Sequence, residues 1–116
     1  MAFITERKPM TLYTYCISFR IADRTVNGRT YDERRQSLIA AVRGNNGFWD
    51  GTTSLLLVES TLDTNALTKR ASAGLSAEYD QLVVFDPGDM SMGHFGKVPN
   101  LDVLKSFFRH AYAVVA

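Results

Sequence analysis

Residues 11–21 alternate with the period of two that is typical of a β-strand, and β-branched and aromatic side chains follow one another along it. One face of this segment carries Tyr13, Tyr15, Ile17, Phe19 and Ile21. The opposite face is also fairly apolar until Ser18, which favours a position between other strands. We therefore predict a first strand that lies inside a sheet.

Two later segments have the apolar spacing of amphipathic helices. Thr30 and Glu33 have the capping-box pattern at the start of the first segment, and Gly44 supplies a stop signal, so a helix is predicted over residues 31–43. A second helix is predicted to begin after an N-cap at Asp63. Its apolar stripe consists of Leu67, Ala71 and Leu75.

Short strands are predicted over residues 47–52, 54–60 and 81–86, with Asp50-Gly51 as a tight turn between the first two. Together with the first strand and the two helices, they give the order β-α-β-β-α-β. This order is typical of a ferredoxin-like α+β domain. The fold class predicted from the sequence is therefore a ferredoxin-like sandwich.

The end of the chain is predicted to contain a loop and a further helix. Pro87-Gly88 breaks the last strand, and the glycines and methionines of residues 88–99 favour a long loop. Asn100 is then predicted to cap an additional C-terminal helix. The apolar face of that helix consists of Leu101, Leu104, Phe108 and Ala111.

Length and composition indicate one globular domain over residues 1–116, with residues 1–10 as a flexible N-terminal arm. Cys16 is the lone cysteine, which favours a reducing compartment and a buried apolar role over that of a nucleophile. The longest apolar stretch, residues 55–58, is too short to cross a bilayer. We therefore predict a cytoplasmic protein with no membrane partner.

No group of residues has the spacing of a metal site or of a nucleophilic catalytic motif. The chain offers His94, His110 and Cys16 among scattered carboxylates, and no pair of ligand types is placed as in zinc or calcium sites. The sequence therefore predicts no metal and no cofactor.

A local cluster of basic residues is the strongest candidate for contact with a nucleic acid or protein partner. The net charge of +1 does not by itself favour binding to nucleic acid, so any such binding must depend on basic residues that lie close together. The predicted contact residues around the first loop and helix are Arg20, Arg24, Arg29, Arg34 and Arg35. Interleaved acidic residues could neutralise part of this charge through ion pairs; these are Asp23, Asp32 and Glu33.

The predicted loop over residues 89–97 carries a second set of candidate contact residues. Met92, His94 and Phe95 are adaptable or pH-sensitive side chains among glycines. They are predicted either to contact a partner or to pack beneath the sheet, and the sequence gives these two alternatives equal weight.

Several short motifs occur in a familiar order along residues 11–110. They are Tyr31-Asp32, Gly47-x-Trp49, residues 54–61, Asp80-x-Leu82-Val83-Val84, Gly88-Asp89, Gly93-His94-Phe95-Gly96 and Pro99. In this order they resemble the SinR family, which in turn is similar to the CRISPR-associated spacer-acquisition nuclease-like subunit and to the VapD ribonucleases. The resemblance implies a ferredoxin-like fold and a homodimer, and it implies no settled activity.

The nuclease-like members of this group carry an aspartate at the end of the first strand, where two copies hold a divalent cation across a dimer. The matching position here is Arg20, whose fixed positive charge opposes a metal. We therefore predict a non-catalytic interaction module. The alternative is a metal-dependent endonuclease that uses Mg²⁺ with Asp23, or with another carboxylate near a dimer axis, although Asp23 also fits a solvated loop residue. A third hypothesis is metal-independent cleavage with His94 as general acid or base.

Overall fold

The computed structural model describes residues 11–115, so the predicted N-terminal arm over residues 1–10 lies outside the described part. Within it, a six-stranded mixed sheet and three helices form an α+β arrangement. The elements are β1 (Tyr13–Arg20), α1 (Tyr31–Val42), β2 (Phe48–Trp49), β3 (Leu55–Ser60), α2 (Thr64–Ser72), β4 (Gln81–Asp86), β5 (Ser91–Phe95), α3 (Leu101–Lys105) and β6 (His110–Val114). None of these helices is long and apolar enough to cross a membrane.

The strands lie in the order β2-β3-β1-β4-β5-β6. All neighbours are antiparallel except β5 and β6, which are parallel. The predicted position of the first strand inside the sheet is confirmed, because β1 lies between β3 and β4. The sheet as a whole differs from a four-stranded ferredoxin-like sheet, because β5 and β6 extend it beyond β4.

The hydrophobic core lies between one face of the sheet and helices α1 and α2. Alternate residues of the central strands point into it, as the period of two requires. Its fully buried members include Tyr15, Ile17, Leu38, Leu56, Leu67, Leu82 and Val84. Each buried aliphatic side chain of this size contributes about 1.5–3 kcal/mol to stability, so this layer holds the helices on the sheet.

Two of the three predicted helix caps, those at Thr30 and Asp63, are confirmed. The Thr30 hydroxyl accepts a hydrogen bond from the Glu33 backbone N–H at 3.1 Å, and the Glu33 carboxylate accepts one from the Thr30 N–H at 2.9 Å. At the second helix, Asp63 Oδ1 accepts from the Ala66 N–H at 2.8 Å. These bonds satisfy backbone donors that the first helical turn would leave without partners.

The predicted loop over residues 88–99 is wrong, because Ser91–Phe95 forms strand β5 and all five of its residues are buried. The segment lacks the alternation and the β-branched residues that mark a strand. Gly93 permits α2 to approach β5 closely, since a Cβ atom there would collide with the Thr68 side chain. Tertiary packing therefore determines this strand where local preference does not.

The predicted C-terminal helix is also largely wrong. Helix α3 ends at Lys105, and the chain continues into β6, which contains Ala111. Asn100 has a left-handed φ of 52° and makes no capping hydrogen bond with its side chain. The Phe108 ring instead packs on Phe85, with ring centroids 5.3 Å apart. The last residues of the predicted helix therefore pair with the edge of β5 as strand β6, although their apolar spacing favours a helix.

A buried arginine joins helix α1 to the loops at one end of the sheet. Arg34 is 2% exposed, and its Nε and Nη2 donate to the carboxylate of Asp80 at 3.0 and 3.3 Å. Nη2 also donates to the carbonyl oxygen of Ala22, and Nη1 donates to those of Arg24 and Arg29. All five N–H donors of the guanidinium are therefore used.

Asp80 completes the network from the turn that precedes β4. Its Oδ1 accepts from the Ala22 N–H at 3.0 Å, and its Oδ2 accepts from the Ser76 N–H at 2.8 Å. The side chain of Asp80 is fully buried. The ion pair thus ties the β1–α1 loop and the α2–β4 connection to the first turns of α1.

We expect Asp80→Asn to lower the free energy of unfolding by about 3–5 kcal/mol, because the amide leaves a buried guanidinium charge without a counter-ion. Urea denaturation at neutral pH measures the change. Asp50→Asn removes an exposed carboxylate outside the network and is the control, with an expected change within about 0.5 kcal/mol. A loss for Asp80→Asn no larger than that of the control would contradict this role.

Candidate functional site

Most of the predicted contact arginines lie at one end of the sheet, where β1 ends and α1 begins. Arg20 is the last residue of β1 and is exposed on the sheet face that points away from α1 and α2. The exposed Arg24 guanidinium lies 4.2 Å from the ring centroid of Tyr79. Arg29, also exposed, donates through Nη1 to the carbonyl oxygen of Gly74 at 3.3 Å. We call Arg20, Arg24 and Arg29 the arginine end.

The other two predicted arginines differ from these three. Arg35 is half-buried, with its guanidinium 5.8 Å from the Phe19 ring centroid and Nη2 donating to the Thr53 carbonyl oxygen at 3.4 Å. Arg34 is enclosed in its ion pair with Asp80, and its donors are all used. The prediction of Arg34 as a contact residue is therefore corrected, because the fold buries it.

The arginine end forms no direct ion pair with an acidic side chain of residues 11–115. Within residues 11–115, the Arg34–Asp80 pair is the one ion pair formed, so Asp23 and Asp32 bind none of the exposed guanidiniums. Glu33 is engaged in its cap, where the hydrogen bond from the Thr30 N–H lowers the pKa of the carboxyl group. The predicted neutralisation by interleaved acids therefore does not occur through direct contact.

The structure does not assemble a metal-ligand cluster around Asp23. This residue is exposed in the loop after β1. Across the described part of the chain, no group of three or more His, Cys, Asp or Glu side chains is placed to hold a metal ion. The metal-dependent alternative therefore has no preformed centre within the described protomer.

The second set of predicted contact residues is buried in β5. Phe95 is 1% exposed and belongs to the core, while Met92 is 0% exposed opposite Phe85 on the neighbouring strand. Burial, and to a smaller extent the charge of Lys105, lowers the pKa of His94, so its imidazole is neutral at neutral pH. The sequence left open whether Met92, His94 and Phe95 contact a partner or pack beneath the sheet. In the structure they are buried, so their prediction as contact residues is corrected.

An apolar patch that the sequence analysis missed lies on the sheet face opposite the helices. Trp49, Leu55 and Leu57 are each exposed by more than a third, and Leu57 lies beside the half-buried Cys16 on β1. Burial raises the pKa of the Cys16 thiol. We call these four residues the open sheet face. The run over residues 54–60 is apolar on both faces, which is typical of a fully covered strand and hid this exposure.

A polar pocket of about 260 Å³ lies at the opposite end of the sheet from the arginines. Five elements contribute to it: the start of β1, the start of α2, the end of β4, the start of β5 and the start of β6. Its charged and aromatic walls are Tyr13, Tyr15, Tyr112, His110, Asp63, Asp86 and Asp89. Sequence reasoning missed this pocket, because residues so far apart leave no local motif.

Hydrogen bonds fix several groups of this pocket. The Ser91 hydroxyl and N–H donate to Asp89 Oδ1 at 2.6 and 2.9 Å, and these bonds lower the pKa of the Asp89 carboxyl group. The Ser91 and Thr64 hydroxyls are 2.5 Å apart. The Tyr15 hydroxyl donates to the Leu62 carbonyl oxygen, and burial raises the pKa of Tyr15 to about 12, so the phenol stays neutral.

Comparisons of the chain with models of protein families, with curated proteins and with solved structures find no match in any of the three. The resemblance to the SinR family, which depends on short motifs, therefore stays a prediction. The surfaces described above are what supports a function.

The stability of the fold should depend on pH through His94. The pKa of His94 is lower in the folded protein than in the unfolded chain, where it is about 6.5. As the pH decreases below about 6.5, the unfolded chain binds a proton at His94 before the folded protein does, so the free energy of unfolding falls. We expect His94→Gln to reduce the slope of unfolding free energy between neutral and mildly acidic pH, by at most about 1.4 kcal/mol per pH unit.

Urea denaturation at several pH values measures this slope. Asn46→Gln changes an exposed residue and removes no titratable group, so this control should keep the slope of the unmodified protein. Equal slopes for His94→Gln and the unmodified protein would show that His94 is not the group responsible.

Proposed function

We infer that the protein is a non-catalytic, dimeric module that contacts nucleic acid through its arginine end. The observation that carries this proposal is the set of exposed guanidiniums at Arg20, Arg24 and Arg29, none of which is paired with a carboxylate in the described chain. Cations in this state bind phosphate groups and release counter-ions from the nucleic acid. The half-buried Arg35 lies at the same end and adds to the local potential.

The geometry of Arg24 suits a phosphate contact. Its guanidinium lies over the Tyr79 ring, which restricts the side chain while its N–H edges stay available. The backbone of the same loop is fixed, because the carbonyl oxygens of Arg24 and Arg29 accept from the buried Arg34. Binding to these arginines therefore costs less ordering of the loop than binding to a flexible basic tail.

The open sheet face supports self-association. Apolar side chains there are exposed side by side, and a second copy of the same face would bury them as two sheets packed about 10 Å apart.

The proposed module includes a ferredoxin-like unit formed by β1, α1, β2, β3, α2 and β4. Its support is the antiparallel order β2-β3-β1-β4 of the first four strands, with α1 and α2 on one face. In this proposal β5 and β6 are an extension that lengthens the sheet on the β4 side. A cytoplasmic location remains a prediction from the sequence.

We expect Leu57→Glu to convert a dimer into a monomer, because it places a charge in the centre of the open sheet face, where a second copy would bury it. Light scattering across a series of protein concentrations measures the mass. Ala40→Glu adds the same charge on an exposed position of α1, away from this face, and should leave the dimer intact. A monomeric unmodified protein, or a dimer that Leu57→Glu does not weaken, would contradict the proposed interface.

We expect Arg24→Gln to weaken binding to short duplex DNA and to reduce the slope of log affinity against log salt by about 0.9, the value for one phosphate contact. Electrophoretic shifts at several salt concentrations measure this slope. Arg43→Gln is the matched control, because Arg43 is also exposed and lies over an aromatic ring, that of Phe48, but at the far end of α1.

Two results would contradict the nucleic-acid proposal. One is the absence of any shift at low salt, and the other is an equal effect of Arg24→Gln and Arg43→Gln. Cleavage of DNA or RNA that requires Mg²⁺ and is lost in Asp23→Ala would overturn the non-catalytic assignment in favour of an endonuclease.

A further inference from the structure

The tyrosine- and aspartate-lined pocket lies at the end of the sheet opposite the arginines and has no role in the proposed nucleic-acid contact. We propose that this pocket binds an alkylammonium group, with Asp86 as the buried anion that receives it and Asp89 at its mouth. The ligand class is a small aliphatic amine, and the argument depends on the state of Asp86, the walls of the pocket and its size.

Asp86 is a buried carboxylate without a counter-ion among the described residues. It is 6% exposed, and no Lys, Arg or His side chain of residues 11–115 forms an ion pair with it. Its Oδ1 accepts from the Gly88 N–H at 2.7 Å, and no described donor reaches Oδ2. Buried carboxylates in proteins are normally paired or fully hydrogen-bonded, so Asp86 has an acceptor to offer.

The free oxygen of Asp86 is accessible at the surface of the pocket or of the groove beside it. No fully enclosed side-chain oxygen in the described structure lacks a hydrogen-bond partner, so Oδ2, which has none, is not fully enclosed. Asp86 lines the polar pocket, and it also lines the adjoining groove formed by Leu12, Thr14 and Pro87. Asp86 lies on the buried face of β4 with Leu82 and Val84, the face on which the pocket is formed, so a ligand in the pocket can reach this acceptor.

The walls of the pocket select a cation. Asp63 and Asp89 are further carboxylates of the lining, and Ser91 holds Asp89 in place through two hydrogen bonds. The rings of Tyr13 and Tyr15 meet at a tilt, with centroids 6.3 Å apart, and Tyr faces attract ammonium groups. The lining contains no Lys or Arg, and its one basic side chain, His110, is outnumbered by three carboxylates, so the pocket as a whole favours a cation over an anion.

Size and ligand geometry narrow the class to a small amine. The volume of about 260 Å³ is below the usual range of about 300–1,000 Å³ for ligand pockets. A bare divalent metal ion does not fit the arrangement, because no three ligating side chains of the described chain are grouped for one. An ammonium group on a short carbon chain can instead donate to Asp86 while its methylenes lie against the tyrosine rings.

The test is isothermal titration of the full chain with 1,4-diaminobutane, compared with 1,4-butanediol as a neutral analogue of the same length. We expect heat of binding for the diamine and none for the diol. A third titration with Nα-acetyl-lysine methylamide distinguishes two sources of the same group. Tighter binding of the diamine assigns a free amine, and tighter binding of the lysine derivative assigns a lysine side chain.

Variants of the pocket connect this binding to its residues. Asp86→Asn should weaken diamine binding at least tenfold, and urea denaturation establishes that the variant is folded. Asp89→Asn changes an exposed residue, which keeps the test decisive if Asp86→Asn does not fold, and it should also weaken binding. Asp50→Asn, exposed and outside the pocket, is the control and should bind as the unmodified protein does.

Three outcomes would overturn the proposal. They are an unmodified protein that does not bind the diamine, equal binding of diamine and diol, and unchanged affinity in both Asp86→Asn and Asp89→Asn. Displacement of the diamine by CaCl₂ at matched ionic strength would assign the pocket to a metal ion instead. None of these results depends on the arginine end, so they are independent of the test of nucleic-acid contact.

Discussion

The ion pair between Arg34 and Asp80 determines the arrangement of one whole end of this protein. Removing two charges from water is costly, and the cost is offset only when every donor and acceptor is satisfied. Here the guanidinium binds one carboxylate and three backbone carbonyl groups, and the carboxylate also accepts from two backbone N–H groups. A loop, a helix and a turn must therefore meet in one geometry for the pair to exist.

In the loop after β1, the Arg34–Asp80 ion pair holds backbone groups inside the protein while the arginine side chains of the same loop stay in solvent. The carbonyl groups of Arg24 and Arg29 point inward to Arg34, while both side chains are exposed. The buried Arg34 thus fixes the backbone from which the side chains of Arg24 and Arg29 extend into solvent. Arginine suits the buried position because its planar group supplies five donors in a fixed fork.

The sequence predicted those parts of the fold whose causes are local. The period of two in β1 and the caps at Thr30 and Asp63 depend on neighbouring residues, and the structure has all three. Strand β5 was not predictable in this way, because its residues lack the alternation of a strand and it forms by pairing with β4 and β6, with α2 packed closely at Gly93. The same limit applies to β6, where pairing with β5 wins over a helical apolar stripe.

The candidate sites follow the same division. Nothing in the sequence distinguishes Arg34 from Arg35, because the partner of Arg34 lies 46 residues further along the chain. The pocket around Asp86 is assembled from five elements, and its residues have no common motif. Exposed arginines near a predicted loop could be found from composition alone, whereas a buried acceptor could be recognised only once the strands were paired.

The position of β1 also has a consequence for how the chain folds. Among the strands of residues 11–115, this one is synthesised before the others, yet it lies inside the sheet, and both of its partners, β3 and β4, follow roughly 40 to 70 residues later. Its apolar inner face therefore has no strand partner until β3 and β4 have been made. Loop closure over such separations is slow compared with local helix formation. The newly made chain accordingly depends on β3 and β4 arriving before β1 meets the same strand of another molecule.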